Sequence, residues 1–382
     1  MATTHFVVLG GGLVGSFIAR QLAAGEAAAV TLADRDKQAL KQAAALAPVN
    51  ISGADLSNPD TVAKVVRDAD VVVGALPGHL GYRALAAVIK AGKPCVDISF
   101  FPEDARELDE LASKQGVPAI VDCGVMPGLG GMLVAELAGQ LEDVESAGIM
   151  VGGLPVERRW PMEYRAPFSP VDVIEEYTRP ARLRQGGELV VRPALSDVEL
   201  IHFTELGTLE AFNTDGLRSL LYTTSIPNLS EKTLRYPGHA QRVLLLKELG
   251  FFSEEKLQLA GGEIAPIELT SRLLIDAWQL EHGMLEFTIM RVEVSGRATG
   301  QPQTFRCELL DRTDPVTGDF SMARTTGWPA VLVARLLADG GGQLRSHSGI
   351  MFPEQLVAQT GVYQAVTAGL EAAGIELKYR AL

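Results

Sequence analysis

Apolar residues fall in short, mostly unbroken runs along the first third of the chain, at 6–9, 30–33, 49–52, 71–75, 95–98 and 119–122. Each run is too short for a helix, and few of its positions alternate with polar ones. Each therefore predicts a strand buried on both faces. Between the runs, apolar positions recur every three or four residues over 13–24, 37–46, 59–66, 82–91 and 103–115. The same spacing runs from Pro127-Gly128 to about 141, and all of these predict helices. Strands alternating with helices of this length predict a parallel sheet covered on both sides.

The rhythm changes near Glu145. Segments lengthen and alternate with period two over 188–192, 285–294 and 303–310, which predicts a mixed or antiparallel sheet with inserted helices. Ser169-Pro170 reads as a helix start, a capping hydroxyl followed by a residue preset for the first turn. Further helices are expected over 244–252, 329–338 and 362–373. The tail is expected to pack back on the first domain, giving domains of 1–125 with 326–382, and of 126–325.

A length of 382 residues suits two domains. At 47% hydrophobic residues, the chain carries enough apolar side chain to bury a core. The net charge of −13 argues against nucleic acid, whose phosphates need a basic face. Three cysteines without paired spacing support neither a disulfide framework nor a zinc site. Six scattered histidines show no ligand spacing, so no metal is expected. No apolar stretch approaches the ~20 residues of a membrane span, so no membrane partner is expected. The opening MATTHFVVLG has no basic segment before its apolar run, and the expectation is a soluble, cytoplasmic protein.

Gly10, Gly12 and Gly15 form G-x-G-x-x-G between the first strand and the first helix. In that context the pattern is a dinucleotide-binding turn. Gly10 serves the tight turn, and Gly12 lets a pyrophosphate approach the helix N-terminus, where Leu13 and Val14 add backbone N–H groups. Gly15 permits close helix–strand packing. The fold class is thus α/β: a Rossmann doubly wound parallel sheet plus a second α+β domain with a mixed sheet. Asp34 ends the second strand, where a carboxylate binds ribose hydroxyls, and this favours NAD. Arg35 follows it and keeps NADP as the alternative. Asp55 fits an adenine contact or a turn-capping acid equally well. Leu76-Pro77 sits at the end of the fourth strand, either beside a nicotinamide ribose or as a simple turn. Asp122 is an acid/base or ammonium-partner candidate, or a turn cap, and Cys123 beside it reads as small and buried. In the second domain Arg218 follows Asn213-Thr214-Asp215-Gly216, and Arg235 precedes His239 by four residues. Each Arg reads as a carboxylate fork or as a member of an ion pair. Glu175-Glu176-Tyr177 reads as a solvated face with one buried aromatic.

The chain resembles the saccharopine dehydrogenase-like oxidoreductases, most closely the lysine 6-dehydrogenase branch. The resemblance is carried by GGGLVG (10–15), VDISFFPED (96–104), DCGVMPGL (122–129), FSPVDVIEEYTRPA (168–181) and EAFNTDGLRSLL (210–221). EKTLRYPGHAQRVLLLKELGFF (231–252) adds to it. It implies a nicotinamide cofactor, an amino-acid substrate and a homodimer formed through the second domain. The fungal saccharopine reductase pattern has Tyr, Asp and Cys where this chain has Phe100, Met126 and Val151, which favours a smaller substrate.

The expected reaction is therefore oxidative deamination of the ε-amino group of L-lysine. On that reading Arg235 and Arg218 bind the α-carboxylate, and Asp122 and Asp215 meet the amino groups. His239 transfers a proton, with Thr214 and Cys123 against the substrate. The rivals are saccharopine or carboxynorspermidine oxidoreduction, drawing on Arg165 and Arg182 for a second carboxylate, and a cofactor-binding sensor or assembly subunit without turnover.

Overall fold

A computed structural model of the chain describes residues 3–25, 27–166, 170–281, 283–339 and 343–382. They form two compact units: Met1–Glu136 with Ala323–Glu376, and Leu137–Met322 with Leu377–Leu382.

The first unit is built on strands β1 (Thr4–Leu9), β2 (Ala28–Asp34), β3 (Asn50–Gly53), β4 (Val71–Gly74), β5 (Cys95–Asp97) and β6 (Pro118–Ile120). A seventh strand, Gly349–Met351, joins from late in the chain. Their order is Gly349–Met351, β6, β5, β4, β1, β2, β3, and every pairing is parallel. Val71, Val72 and Val73 are wholly buried, so β4 is covered on both faces. Burying each valine is worth about 1.5–3 kcal/mol, and the β-branched side chains suit the pleat. The order reverses between β1 and β4, which opens a crevice at the carboxyl ends of these two strands.

The second unit holds a mixed sheet. Its strands include β7 (Asp143–Pro155), β8 (Ala181–Gln185), β9 (Glu188–Arg192), β10 (Glu199–Phe203), β11 (Gly207–Asn213) and β12 (Leu229–Arg235). Strand order runs β10, β11, β12, β7, then Glu286–Ala298, Gln301–Arg312 and Leu377–Ala381. β12 and β7 pair in parallel, and their neighbours along this order are antiparallel. On β12 the pleat puts Glu231, Thr233 and Arg235 on one face. Glu210 of β11 pairs with Arg235, so it shares that face.

Several expectations are corrected. Residues 377–382 do not close the first unit, because Leu377–Ala381 pairs with Gln301–Arg312 in the second. The helix expected over 244–252 is His239–Glu248. Its start is set from a distance: the Glu210 carboxylate accepts from Gly238 N at 2.7 Å and from Ala240 N at 2.5 Å. The helix expected to begin at Pro329 begins at Ser321 and carries Pro329 in its interior. The helix Pro170–Thr178 forms, while the Ser169 cap lies outside the described residues. Gly152 and Gly153 lie inside β7. A Cβ on Gly152 would stand 2.4 Å from the Leu234 carbonyl oxygen, so β12 requires glycine there.

Candidate active site

At the crevice of the first unit, the turn after β1 has the shape a pyrophosphate needs. Gly10 has φ +108°, and a Cβ on it would lie 2.3 Å from the Ala75 carbonyl oxygen. A Cβ on Gly15 would lie 2.0 Å from the Gly10 oxygen, so the helix Leu13–Ala23 packs directly on the turn. Gly12 is different: a Cβ there would meet nothing within 4 Å. Gly12 starts the helix and no side chain caps it, so Leu13 and Val14 sit in an uncapped first turn. Open space over a helix N-terminus fits a bound phosphate.

Asp34 closes the same edge. Its Oδ2 accepts from Gly11 N at 2.6 Å and its Oδ1 from Asp36 N at 2.8 Å, which fixes the carboxylate beside the turn. Arg35 is exposed next to it. Asp55 is exposed, and its Oδ1 accepts from Ser57 N and Ser57 Oγ at 3.1 and 2.7 Å. Those bonds hold its pKa below the usual carboxylate value and give it a turn-holding role. Leu76 N donates to Ser99 Oγ at 3.3 Å, and Pro77 starts the helix Gly78–Lys90. Asp122 follows β6, is buried and has φ +60°. Cys123 N donates to the Asp97 carbonyl at 2.9 Å, and burial pushes the Cys123 thiol far up, so it is inert at neutral pH.

The face of β12 in the second unit carries a buried polar network. Arg235 is 2% exposed. Its Nη2 pairs with Glu176 Oε2 at 3.1 Å, and its Nε donates to Tyr177 Oη at 3.2 Å. Its Nη1 donates to the Leu234 carbonyl at 2.9 Å, and its guanidinium lies 4.3 Å from the centre of the Tyr164 ring. Tyr177 Oη lies 2.9 Å from His239 Nε2, and His239 Nδ1 lies 2.9 Å from the Met162 carbonyl. A carbonyl can only accept, so Nδ1 carries the proton and Nε2 accepts from the tyrosine. His239 is wholly buried; burial and the nearby Arg235 charge lower its pKa to about 3, and it is neutral. Burial pushes the Glu176 carboxyl up to about 7 against the pull of Arg235.

Thr214, Glu231 and Thr233 form a second group on this face. Thr214 Oγ1 donates to Glu231 Oε2 at 2.7 Å and lies 2.8 Å from Thr233 Oγ1. Gly216 N donates to Glu231 Oε2 at 3.0 Å. Burial pushes the Glu231 carboxyl up to about 8, and the Glu176 charge adds to the rise. Asp215 is held by Arg182 through a two-pronged pair at 2.9 and 2.8 Å. Arg218 lies in the same turn, nearly buried, at φ +47°.

These placements revise three sequence expectations. Arg235 does not present a free fork to a substrate carboxylate, because its donors are spent on Glu176, two tyrosines and a carbonyl. His239 does not shuttle protons directly, because both ring nitrogens are engaged away from solvent. Asp215 is neutralised by Arg182 rather than left to an amino group. Sequence reasoning missed Glu176, Tyr164 and Glu231. Of the supposed solvated pair, both partly exposed, Glu175 pairs with Arg179 at 2.5 Å and Glu176 turns to Arg235. The period-two pattern of β12 aligns Glu231 with Arg235 and is the sequence signal for this face.

Residues 6–120 match the family model of the saccharopine dehydrogenase NADP binding domain, and residues 124–375 match that of the saccharopine dehydrogenase C-terminal domain. The chain belongs to the saccharopine dehydrogenase family. Its first unit is accordingly an NAD(P)-binding domain. Among curated relatives, the rat mitochondrial alpha-aminoadipic semialdehyde synthase is 24% identical over 277 residues, covering 68% of this chain and 30% of the relative. The Saccharomyces cerevisiae saccharopine dehydrogenase [NADP(+), L-glutamate-forming] is 25% identical over 281 residues, covering 68% and 61%. The chain therefore spans less than two thirds of the length of either relative. The apo structure of saccharopine dehydrogenase (L-Glu forming) from Saccharomyces cerevisiae superposes with a TM-score of 0.82 at 17% identity, covering 99% of this chain and 100% of that one. It shares the family fold. Among the described residues, no helix is long and apolar enough to cross a membrane.

Proposed function

We propose that the chain is an NAD(P)-dependent amino-acid dehydrogenase that oxidises the ε-amino carbon of L-lysine. One observation carries the choice of substrate. The guanidinium forks that a second substrate carboxylate would need are already engaged, while carboxyls line the same sheet face. Arg235 is held by Glu176, Arg182 by Asp215, and Arg165 donates to the Ala277 carbonyl. Glu176 suits an ammonium, and an amine-rich substrate matches it better than a dicarboxylate does. Arg218 is the residue proposed for the α-carboxylate, and Asp122 is a further candidate for an amino group.

Gly10, Gly12, Leu13, Val14, Gly15 and Asp34 would hold the cofactor. When bound, the nicotinamide accepts a hydride from the substrate carbon. The chain's own residues must bind the amino acid, take a proton from its ammonium and keep bulk water out until the iminium forms. Water then adds to the iminium, ammonia leaves and an aldehyde remains. NAD is proposed over NADP because a 2′-phosphate would meet the Asp34 carboxylate. A homodimer through the second unit belongs to the same reading.

The test is a donor panel of L-lysine, saccharopine and other amino acids with either cofactor, followed at 340 nm. Turnover of lysine with NAD, with Asp34→Ala narrowing the preference for NAD over NADP, supports the proposal. The second reading, saccharopine oxidation, rests on the names of the curated relatives. Turnover of saccharopine without lysine would select it.

A further inference from the structure

The polar chain on the β12 face has one end that is not sealed. The Glu176 side chain is 22% exposed against 3% for Arg235, and Tyr177 and His239 are wholly buried. We propose that Glu176 is the catalytic base that takes the proton of the substrate ammonium, and that Arg235, Tyr177 and His239 are positioning residues that hold its carboxylate. This rests on the reading of the chain as an amino-acid dehydrogenase and names the proton acceptor of that site.

The hydrogen bonds run in one direction. The Met162 carbonyl forces the proton onto His239 Nδ1, so Nε2 accepts from Tyr177. The tyrosine oxygen, with its own proton committed, accepts from Arg235 Nε. That bond and the Leu234 carbonyl fix the guanidinium plane and leave Nη2 turned on Glu176. Tyr164 stacks on the same guanidinium. Exchanging any member breaks the order at the next one, because each donor in the chain points at the next acceptor.

The charges around Glu176 nearly balance. Burial opposes its carboxylate, Arg235 favours it, Asp172 opposes it and Arg179 favours it. Tyr164 and Tyr177 are held as neutral phenols by burial. The carboxyl therefore titrates near neutrality, where a general base works best. In the proposed step the ammonium N–H bond breaks and an O–H bond forms on Glu176. The electron pair stays on nitrogen, giving the neutral amine whose carbon can release a hydride. The proton on Glu176 then leaves to water.

The experiment uses the full chain and the amino donor that the panel shows to be turned over. In the wild type, kcat/KM should rise with pH along a limb centred near 7. Glu176→Gln should lower kcat roughly 100-fold or more, leave cofactor binding unchanged and abolish that limb, while Glu176→Asp keeps the limb at reduced rate. His239→Leu should move the limb upward by half a pH unit or more, because Arg235 loosens its hold on Glu176. His239→Gln, which offers Tyr177 an acceptor again, should bring it back.

Calorimetry gives a readout independent of turnover. Titration of L-lysine at pH 7 in phosphate and in Tris should show proton release from the wild type and none from Glu176→Gln. A wild type without proton release or without an acid limb overturns the proposal, even if a variant fails to fold. Glu176→Gln within tenfold of wild type with its limb intact also overturns it. An unmoved limb in His239→Leu overturns the positioning chain alone. If saccharopine is turned over and lysine is not, the lysine reading fails, and the same variants are then read on the saccharopine secondary ammonium.

Discussion

Replacing Glu231 with glutamine should stabilise the protein by an amount that grows with pH. The Glu231 side chain is 4% exposed, and its Oε2 accepts from Thr214 and Gly216. Burial pushes its pKa from 4.5 up to about 8. A raised carboxyl keeps its proton in the folded state at pH values where the unfolded state has lost it. Stability is therefore lost as pH climbs from 4.5 to 8. The gap of about 3.5 pH units, at about 1.4 kcal/mol each, sets a ceiling of about 5 kcal/mol. Glutamine keeps an oxygen for Thr214 and Gly216 and never ionises. Urea unfolding followed by tryptophan fluorescence, with Trp278 buried in the core of the second unit, gives the comparison. Wild type and Glu231→Gln should agree within about 1 kcal/mol at pH 5, and the variant should lead by at least ~3 kcal/mol at pH 9. An equal difference at both pH values refutes the reasoning, because a packing effect would not titrate.

Four further outcomes follow from the geometry. Gly15→Ala should cost at least ~3 kcal/mol, because its Cβ would meet backbone at 2.0 Å. Gly12→Ala should leave the melting temperature nearly unchanged and weaken NAD(P) binding, as read from the thermal shift that added cofactor produces. His239 is buried neutral with its pKa lowered to about 3, so wild type should lose stability relative to His239→Gln as pH falls from 6.5 toward 3. Cys95, Cys123 and Cys307 are all buried, so iodoacetamide at pH 8 should label none in the native protein and all three in denaturant; rapid native labelling would contradict the burial.

The first unit was legible because its strands are local apolar runs and its glycines sit where the strand–turn–helix order gives them meaning. Each of the six early strands lies within a few residues of its expected place. The second unit was legible where a hairpin imposed long alternation, as in Glu286–Ala298 and Gln301–Arg312, and at the helix Pro170–Thr178, whose proline marks its first turn. β12 was missed because its face mixes Glu231, Thr233 and Arg235, which satisfy one another rather than form an apolar stripe. Glu176 was misread for the same reason. Its partner Arg235 is 59 residues away, and no local pattern announces a carboxylate turned inward by a distant guanidinium. The start of the helix His239–Glu248 likewise depends on Glu210, 28 to 30 residues earlier in the chain.

The chain enters the second unit after Glu136, leaves it after Met322 and returns after Glu376. This itinerary orders events at the ribosome. The outermost strand of the parallel sheet, Gly349–Met351, docks on β6, and Ile350 N is held by Asp109 Oδ1 across 241 residues of sequence. At a synthesis rate of about 5–20 residues per second, that edge of β6 waits roughly 10–50 s for its neighbour. The second unit waits in turn for the final strand, Leu377–Ala381, to cover Gln301–Arg312. Each nascent sheet is thus one strand short while the other is being made, and a holdase bound during that interval would meet an open strand edge rather than a finished domain.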